Sequence, residues 1–398
     1  MFILYHQSSM FANDGNAITN QTMFIHDYET ILMIYGEYRA KKWISTYVPP
    51  ILLFIGTFGN IFSFVILRKS MMRVSTYFYL AILALADLMV LCLGLLRLWV
   101  GDITGVDIRN QNNWICKFTI FIGYTTSDFS VWLIVAVTVE RYIAVCHPLK
   151  ASILCSVQRA RAITLSIFLI LLATNSHFLW TVHVSDTYLN ESRVCEAVPK
   201  HVFLVTKVWP WIDTVLYSFA PYILLFNLNF WIIRQVLSAK KCRTQLQNCT
   251  SGRNNHLQKQ LPSEGCIKLT IMLLAVSFAF IITTFPVNVY LIIDSLWRQN
   301  EKMGFQLIAR QALISTITEL LMYINHCINF YLYCATGKKF RKHMEKLVCK
   351  FKKYRRSHAG YSTNGRQITR VSFSTGRSSI HQYGNEIRLH TKKEMTKL

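Results

Sequence analysis

Charge is scarce in this sequence. Only 16% of its 398 residues are Asp, Glu, Lys or Arg, against roughly 25% in a water-soluble domain. The two or three soluble domains that the length alone would suggest are therefore excluded. Acid is scarcer still, with 20 Asp and Glu against 43 Lys and Arg. No Cys/His spacing reads as a zinc site, and no paired carboxylates or metal ligands fall at one depth, which argues against an enzyme. The halves show no internal repeat and no matched Gly/Pro interruptions, the usual marks of a transporter. Nothing resembles a nucleic-acid module, so the basic excess is assigned to topology and to anionic lipid head groups. Met1–Tyr5 is apolar but too short for a signal-peptide core, and no basic stretch precedes it.

What the sequence has instead is apolar length. Seven hydrophobic segments run at about Trp43–Leu67, Tyr77–Val100, Cys116–Tyr142, Ala162–Val184, Val208–Leu237, Ile267–Asp294 and Gln311–Cys334. Each is long enough to cross a bilayer core of about 30 Å as a helix. None alternates with the period of two that a membrane barrel needs. The expected fold is an all-α membrane protein, a seven-helix transmembrane bundle. Residues 1–42 form an extracellular N-terminus, 43–334 the bundle, 335–348 a short amphipathic helix and 349–398 a disordered cytoplasmic tail. The first span is expected to act as the signal anchor.

Basic residues give the orientation. Arg68, Lys69, Arg73, Arg141, Lys150, Arg159, Arg161 and the Arg234–Lys268 cluster all lie in loops on one side, together with the C-terminal stretch. That side is cytoplasmic by the positive-inside rule, and the N-terminus lies outside. Asn20 and Asn190 then begin glycosylation sequons on the outer side, while the sequon at Asn248 lies inside. Of 11 cysteines, only Cys116 and Cys195 face the oxidising side, which favours a disulfide over two free thiols. Cys349 follows the basic stretch Lys338–Lys346 and is a palmitoylation candidate, with a plain thiol as the alternative.

An ordered set of short motifs sits on these spans. Gly59-Asn60 lies in the first, Leu85-Ala86-Asp87 in the second, and Cys116 opens the third, which Glu140-Arg141-Tyr142 closes. Pro221 lies in the fifth, Phe285-Pro286 in the sixth, and Asn329-Phe330-Tyr331-Leu332-Tyr333 ends the seventh. The chain resembles the rhodopsin-like family of G-protein-coupled receptors over about residues 43–346. Within it, the stretches Lys69–Thr76, Cys146–Lys150 and Ile328–Cys334 resemble invertebrate neuropeptide receptors of the FMRFamide and myosuppressin type. The chain departs from the family at several positions. The fourth span has no central Trp, Thr284 replaces the Trp before the sixth-span Pro, Phe330 replaces Pro, and Asn229 replaces a Tyr.

The resemblance implies roles residue by residue. Glu140, Arg141 and Tyr142 would couple to a heterotrimeric G protein as the sixth span swings about Pro286, with Pro221 and Phe280 in the moving core. No acid stands at the family's usual lock position, where Cys266 sits. Asn60, Asp87, Ser130, Asn325, Asn329 and Tyr333 match the activation core. Asp87, with Ser130, would hold a structural Na⁺ as the chain's only cofactor, or else be a carboxylate held by hydrogen bonds. Serines and threonines of the tail would take phosphate from a receptor kinase and recruit arrestin.

A charge at bilayer depth needs a partner or a wet cavity. Arg97, Asp213, Asp294, Glu319 and Tyr323 are the candidate ligand pocket. Two readings of Glu319 stand side by side: an ion pair with Arg97, or an acidic wall that receives a ligand's guanidinium. The second fits an amidated, Arg-containing neuropeptide. Gly123 stands at the family's amine-anchoring position and argues against a monoamine. The function expected is a plasma-membrane receptor for a neuropeptide, with a small-molecule receptor of the same fold or a transporter as alternatives.

Overall fold

The computed structural model describes residues 29–68, 73–186, 193–248, 264–297, 304–337, 340–341 and 344–345. Among these, seven helices are long and apolar enough to cross a membrane. They are α1 Gly36–Leu67, α2 Ser75–Thr104, α3 Asn113–Cys146, α4 Val157–Thr181, α5 Leu204–Cys242, α6 Glu264–Trp297 and α7 Phe305–Thr336. Every helix overruns the apolar segment that announces it at one end or both, because polar residues continue the helical turn beyond the hydrocarbon layer. The expected fourth span is shifted instead. It begins earlier, at Val157, and stops at Thr181, where Val182–Asp186 becomes strand β1.

Local chemistry sets the helix ends. The Asn112 side chain accepts from the Trp114 N–H at the start of α3, and Ser156 does the same for Arg159 at the start of α4. Such caps satisfy donors that have no partner within the helix. Gly105 ends α2 with φ 69°, a left-handed turn that only glycine enters without cost. Inside the spans, hydroxyls bond back to the preceding turn, as Thr125 does to the Phe121 carbonyl and Thr138 to that of Ile134. These bonds satisfy polar atoms that lipid cannot.

The bundle is inverted relative to a water-soluble protein. Phe54, Phe226 and Ile282 are about 70% exposed on the spans, as side chains facing lipid must be. The interior meanwhile holds Asn60, Asp87, Ser130, Asn175, Asn325 and His326. In the fourth and seventh spans, Asn175, Asn325 and His326 thus face inward. Phe280 is fully buried and packs against the rings of Tyr217 and Tyr222.

Three turns of π-helix, Leu91–Leu96, Leu204–Val208 and Val215–Phe219, interrupt α2 and α5. The last precedes Pro221, whose ring would clash with a carbonyl one turn back. Wider i→i+5 bonding accommodates that conflict. At the other end of the α4–β1 connection, β1 pairs antiparallel with β2, Arg193–Ala197, placing Val184 opposite Cys195. A disulfide joins Cys195 to Cys116 at the head of α3. The Asn110 side chain, in the turn before α3, also accepts the Cys195 N–H at 2.9 Å, so the hairpin is held both on α3 and on the turn that precedes it.

Candidate functional site

At the disulfide end, the turn Gly105–Asn110 brings charge back over α2. Arg97 Nη1 lies 2.7 Å from Asp107 Oδ2, and Arg109 Nη2 reaches the same oxygen at 2.6 Å. Burial alone would push the Asp107 carboxyl up, but the Arg109 hydrogen bonds and the two guanidinium charges hold it below its ordinary value. Beneath this cluster a cavity of about 340 Å³ opens among α1, α2 and α7. Lys41, Arg97, Asp107, Glu319 and Tyr323 are on its wall. A smaller cavity of about 50 Å³ adjoins Arg97, Arg109, Gly123, Tyr124 and Tyr323. A side chain at Gly123 would meet nothing within 4 Å.

Glu319 is the unsatisfied member of this set. Its Oε1 is buried and has no hydrogen-bond partner among the described residues, because Arg97 has turned to Asp107. Asp107 is the residue that the sequence reading missed. A Gly followed two residues later by Asp-x-Arg, just past the end of a helix, was the available signal.

Asp213 and Asp294, expected in the ligand pocket, are not among the residues that line these two cavities. Asp213 is buried, one turn after Trp209, whose ring packs on His177 of α4 at 4.0 Å and near Tyr124 of α3 at 6.4 Å. That face of α5 is turned to α3 and α4. Asp294 lies buried near the end of α6 and has interactions of its own. A further buried acid, Asp128, accepts from Asn175 Nδ2 at 3.1 Å.

In mid-bundle, Asp87 is fully buried. Its Oδ1 accepts from Ser130 Oγ at 2.6 Å and lies 2.8 Å from His326 Nδ1. Its Oδ2 accepts from Asn329 Nδ2 at 2.7 Å. Asn60 Nδ2 donates to the His326 carbonyl at 2.8 Å. Asn325 makes no hydrogen bond to Asp87, and Tyr333 Oη has no partner among the described residues. Asn325, expected in this core, is not bonded to Asp87, whereas His326, absent from the sequence expectation, is.

These residues do not fit a sodium ion. A hard cation needs oxygen lone pairs, and the Asp87 carboxylate is instead surrounded by a hydroxyl, an amide nitrogen and an imidazole nitrogen. The remaining buried atoms without partners are of mixed type. They include Asn325 Nδ2, Asn325 Oδ1, Asn329 Oδ1 and His326 Nε2. Such a set calls for water rather than a cation. Among the described residues no group of three or more His, Cys, Asp or Glu could hold a metal.

At the opposite end, Arg141 Nη2 pairs with Glu140 Oε1 at 2.7 Å and also donates to Thr76 Oγ1. Ser75 and Thr76 hydroxyls donate to the same Glu140 oxygen at 2.8 and 2.7 Å. Both charged side chains are buried. Tyr222 and Asn288, which the sequence reading did not single out, tie α5 to α6. Tyr222 Oη bonds Thr284 Oγ1 at 2.8 Å, and Asn288 bridges Ser218 and Tyr222 between α5 and α6. Phe340 packs on Phe330 and Tyr333, and the described residues 340, 341, 344 and 345 are helical. Asn20, Asn190, Cys349 and the tail 349–398 lie outside the described residues.

Residues 59–333 match the profile of the seven transmembrane receptor (rhodopsin) family. Three relatives are similar along the same bundle. The FMRFamide receptor of Drosophila melanogaster is 27% identical over 76% of this chain, which spans about half (53%) of the fly protein. The growth hormone secretagogue receptor type 1 of Sus scrofa is 28% identical, with 75% and 78% of the two chains covered. The thyrotropin-releasing hormone receptor of Bos taurus is 29% identical, with 75% and 76% covered.

Proposed function

Since this chain belongs to the rhodopsin family of seven-transmembrane receptors, which are not enzymes, we propose that it receives a peptide at the disulfide end. The signal then passes to a heterotrimeric G protein at the Arg141 end. One observation carries the ligand assignment: Glu319 presents a buried carboxylate oxygen, without a hydrogen-bond partner among the described residues, on a 340 Å³ cavity, while Arg97 is held by Asp107. A buried carboxylate oxygen in that state favours a cationic group, and a guanidinium meets a carboxylate through two parallel hydrogen bonds. The peptide names carried by the relatives support a peptide ligand. An amidated peptide with Arg near its C-terminus supplies the cation, and its aromatic neighbour packs on Tyr323.

Positive-inside charge supports a plasma-membrane receptor with its N-terminus and disulfide end outside. Asn20 and Asn190 would then carry glycans. Inside, ligand binding favours the packing in which α6 swings about Pro286 and Arg141 leaves Glu140, opening a groove for the Gα subunit. The basic tail meets anionic lipid, receptor kinase and arrestin, with Cys349 as an acylation point.

The test is a synthetic peptide ending in Arg-Phe-amide and its citrulline analogue, on wild type and Glu319→Gln. Glu319→Gln should weaken the Arg peptide by about 2–5 kcal/mol. The citrulline peptide should be weak on both receptors, since coupled partners are not additive. Equal potency of the two peptides on wild type would remove the cation-anchor reading.

A further inference from the structure

A buried carboxylate at the centre of a helical bundle needs a compensating donor set, and in this chain side chains of α3 and α7 supply one. Asp87 receives Ser130 from α3 and both His326 and Asn329 from α7, at 2.6, 2.8 and 2.7 Å. His326 and Asp87 are both fully buried. The imidazole ring lies within hydrogen-bond distance of the same carboxylate oxygen as Ser130, and Ser130 Oγ is itself 3.5 Å from His326 Nδ1. A sodium ion on that oxygen would have to displace the ring. The backbone that carries the ring cannot shift cheaply, because the His326 carbonyl is held by Asn60 from α1 at 2.8 Å, and Cys327 Sγ beside it donates to the Leu52 carbonyl of α1 at 3.4 Å. The adjoining turn of α7 is thus pinned on its other face.

We infer that His326 is a built-in replacement for a monovalent cation at Asp87, and that it closes this core to sodium. The link from α2 to α7 at mid-membrane is then an Asp87–His326 contact that the ionic composition of the medium does not modulate. His326 is a positioning residue: it fixes the Asp87 carboxylate between α3 and α7. This inference is independent of the ligand and stands or falls separately from the peptide assignment.

The experiment uses purified full-length receptor in lipid nanodiscs, without ligand, and reads thermal unfolding by tryptophan fluorescence. Sodium chloride is titrated against choline chloride at constant ionic strength. A site that binds sodium in the folded state raises Tm with sodium concentration. Wild type should show the same Tm in both salts. His326→Ser, with His326→Asn as the second variant should the first not fold, opens the oxygen set and should acquire a sodium-dependent rise. Asp87→Asn in the same background should abolish that rise. A sodium-dependent Tm in wild type overturns the inference. Folded His326 variants that remain indifferent to sodium overturn it as well, because His326 would then not be what closes the site.

Discussion

Arg97 and Asp107, ten residues apart and on either side of the left-handed turn at Gly105, form a 2.7 Å ion pair that roofs the cavity at the disulfide end. The pair decides the state of Glu319, which the sequence leaves open. Asp107→Asn releases both Arg97 and Arg109. Arg97 is then free to turn to Glu319, and an Arg-containing peptide should lose potency although its own contact residue is intact. The loss should approach that of Glu319→Gln, about 2–5 kcal/mol, and the double variant should be little worse than either. Concentration–response curves for the three variants check this.

The same pair has a pH signature. Asp107 titrates below its ordinary 3.8, so its contribution to stability is present above that value and is lost as pH falls through the lower, folded-state pKa. Thermal stability of wild type relative to Asp107→Asn should therefore be constant from neutral pH down to the ordinary carboxylate range. It should converge only below it. Convergence already near neutral pH would contradict the pairing.

Thr76 bridges the resting restraint of Arg141, accepting from the guanidinium and donating to Glu140. Thr76→Val removes both bonds and leaves the size unchanged. At about 1 kcal/mol net per hydrogen bond, basal nucleotide exchange on G protein should rise about fivefold or more. Ser75→Ala, which loses only the bond to Glu140 and a weaker one to the Cys155 carbonyl, should give a smaller rise.

The disulfide holds the hairpin to α3 alongside Asn110. Cys116→Ala and Cys195→Ala should each lower surface expression or binding, and the double variant should match the singles. Asn110→Ala should be milder, because it removes one of two anchors. Cell-surface immunoassay measures all four.

Gly94 lines the smaller cavity beside Tyr323. A Cβ there would lie 2.6 Å from Tyr323 Oη and 3.0 Å from its ring, and Tyr323 walls both cavities. Gly94→Ala should cost about 1–3 kcal/mol in stability as overpacking does. Gly94→Ala combined with Tyr323→Phe should recover most of it in a thermal-unfolding assay.

The spans were legible because apolar length is a coarse property that lipid imposes. The hairpin was not, since two five-residue strands carry too little alternation to stand out beside Val182–Val184, which reads as the end of a span. In the core, motif matching found Asp87, Ser130 and Asn329 but selected Asn325 over His326. The better signal was the spacing of α7 itself. Glu319, Tyr323, His326, Phe330 and Tyr333 recur at alternating steps of four and three, one stripe of a helix, and that stripe faces the bundle interior. Arg97–Asp107 was hidden for another reason: the partner lies beyond a chain reversal whose geometry depends on φ at Gly105.

The π turn at Leu91–Leu96 lies between Asp87 and Arg97. Each residue of a helix advances the chain by about 100° around its axis, and a π turn takes in one residue more than an α turn. The inner half of α2, with its core carboxylate, is thereby uncoupled in azimuth from the outer half that faces the cavity. A single inserted or deleted codon between Leu91 and Leu96 would swing Arg97 off Asp107 and present Leu96 or Leu98 to the incoming ligand, while Asp87 kept its place. Ligand selectivity in such a receptor can drift by length changes in one short stretch of gene, without any substitution at a contact residue and without disturbing the transmission core.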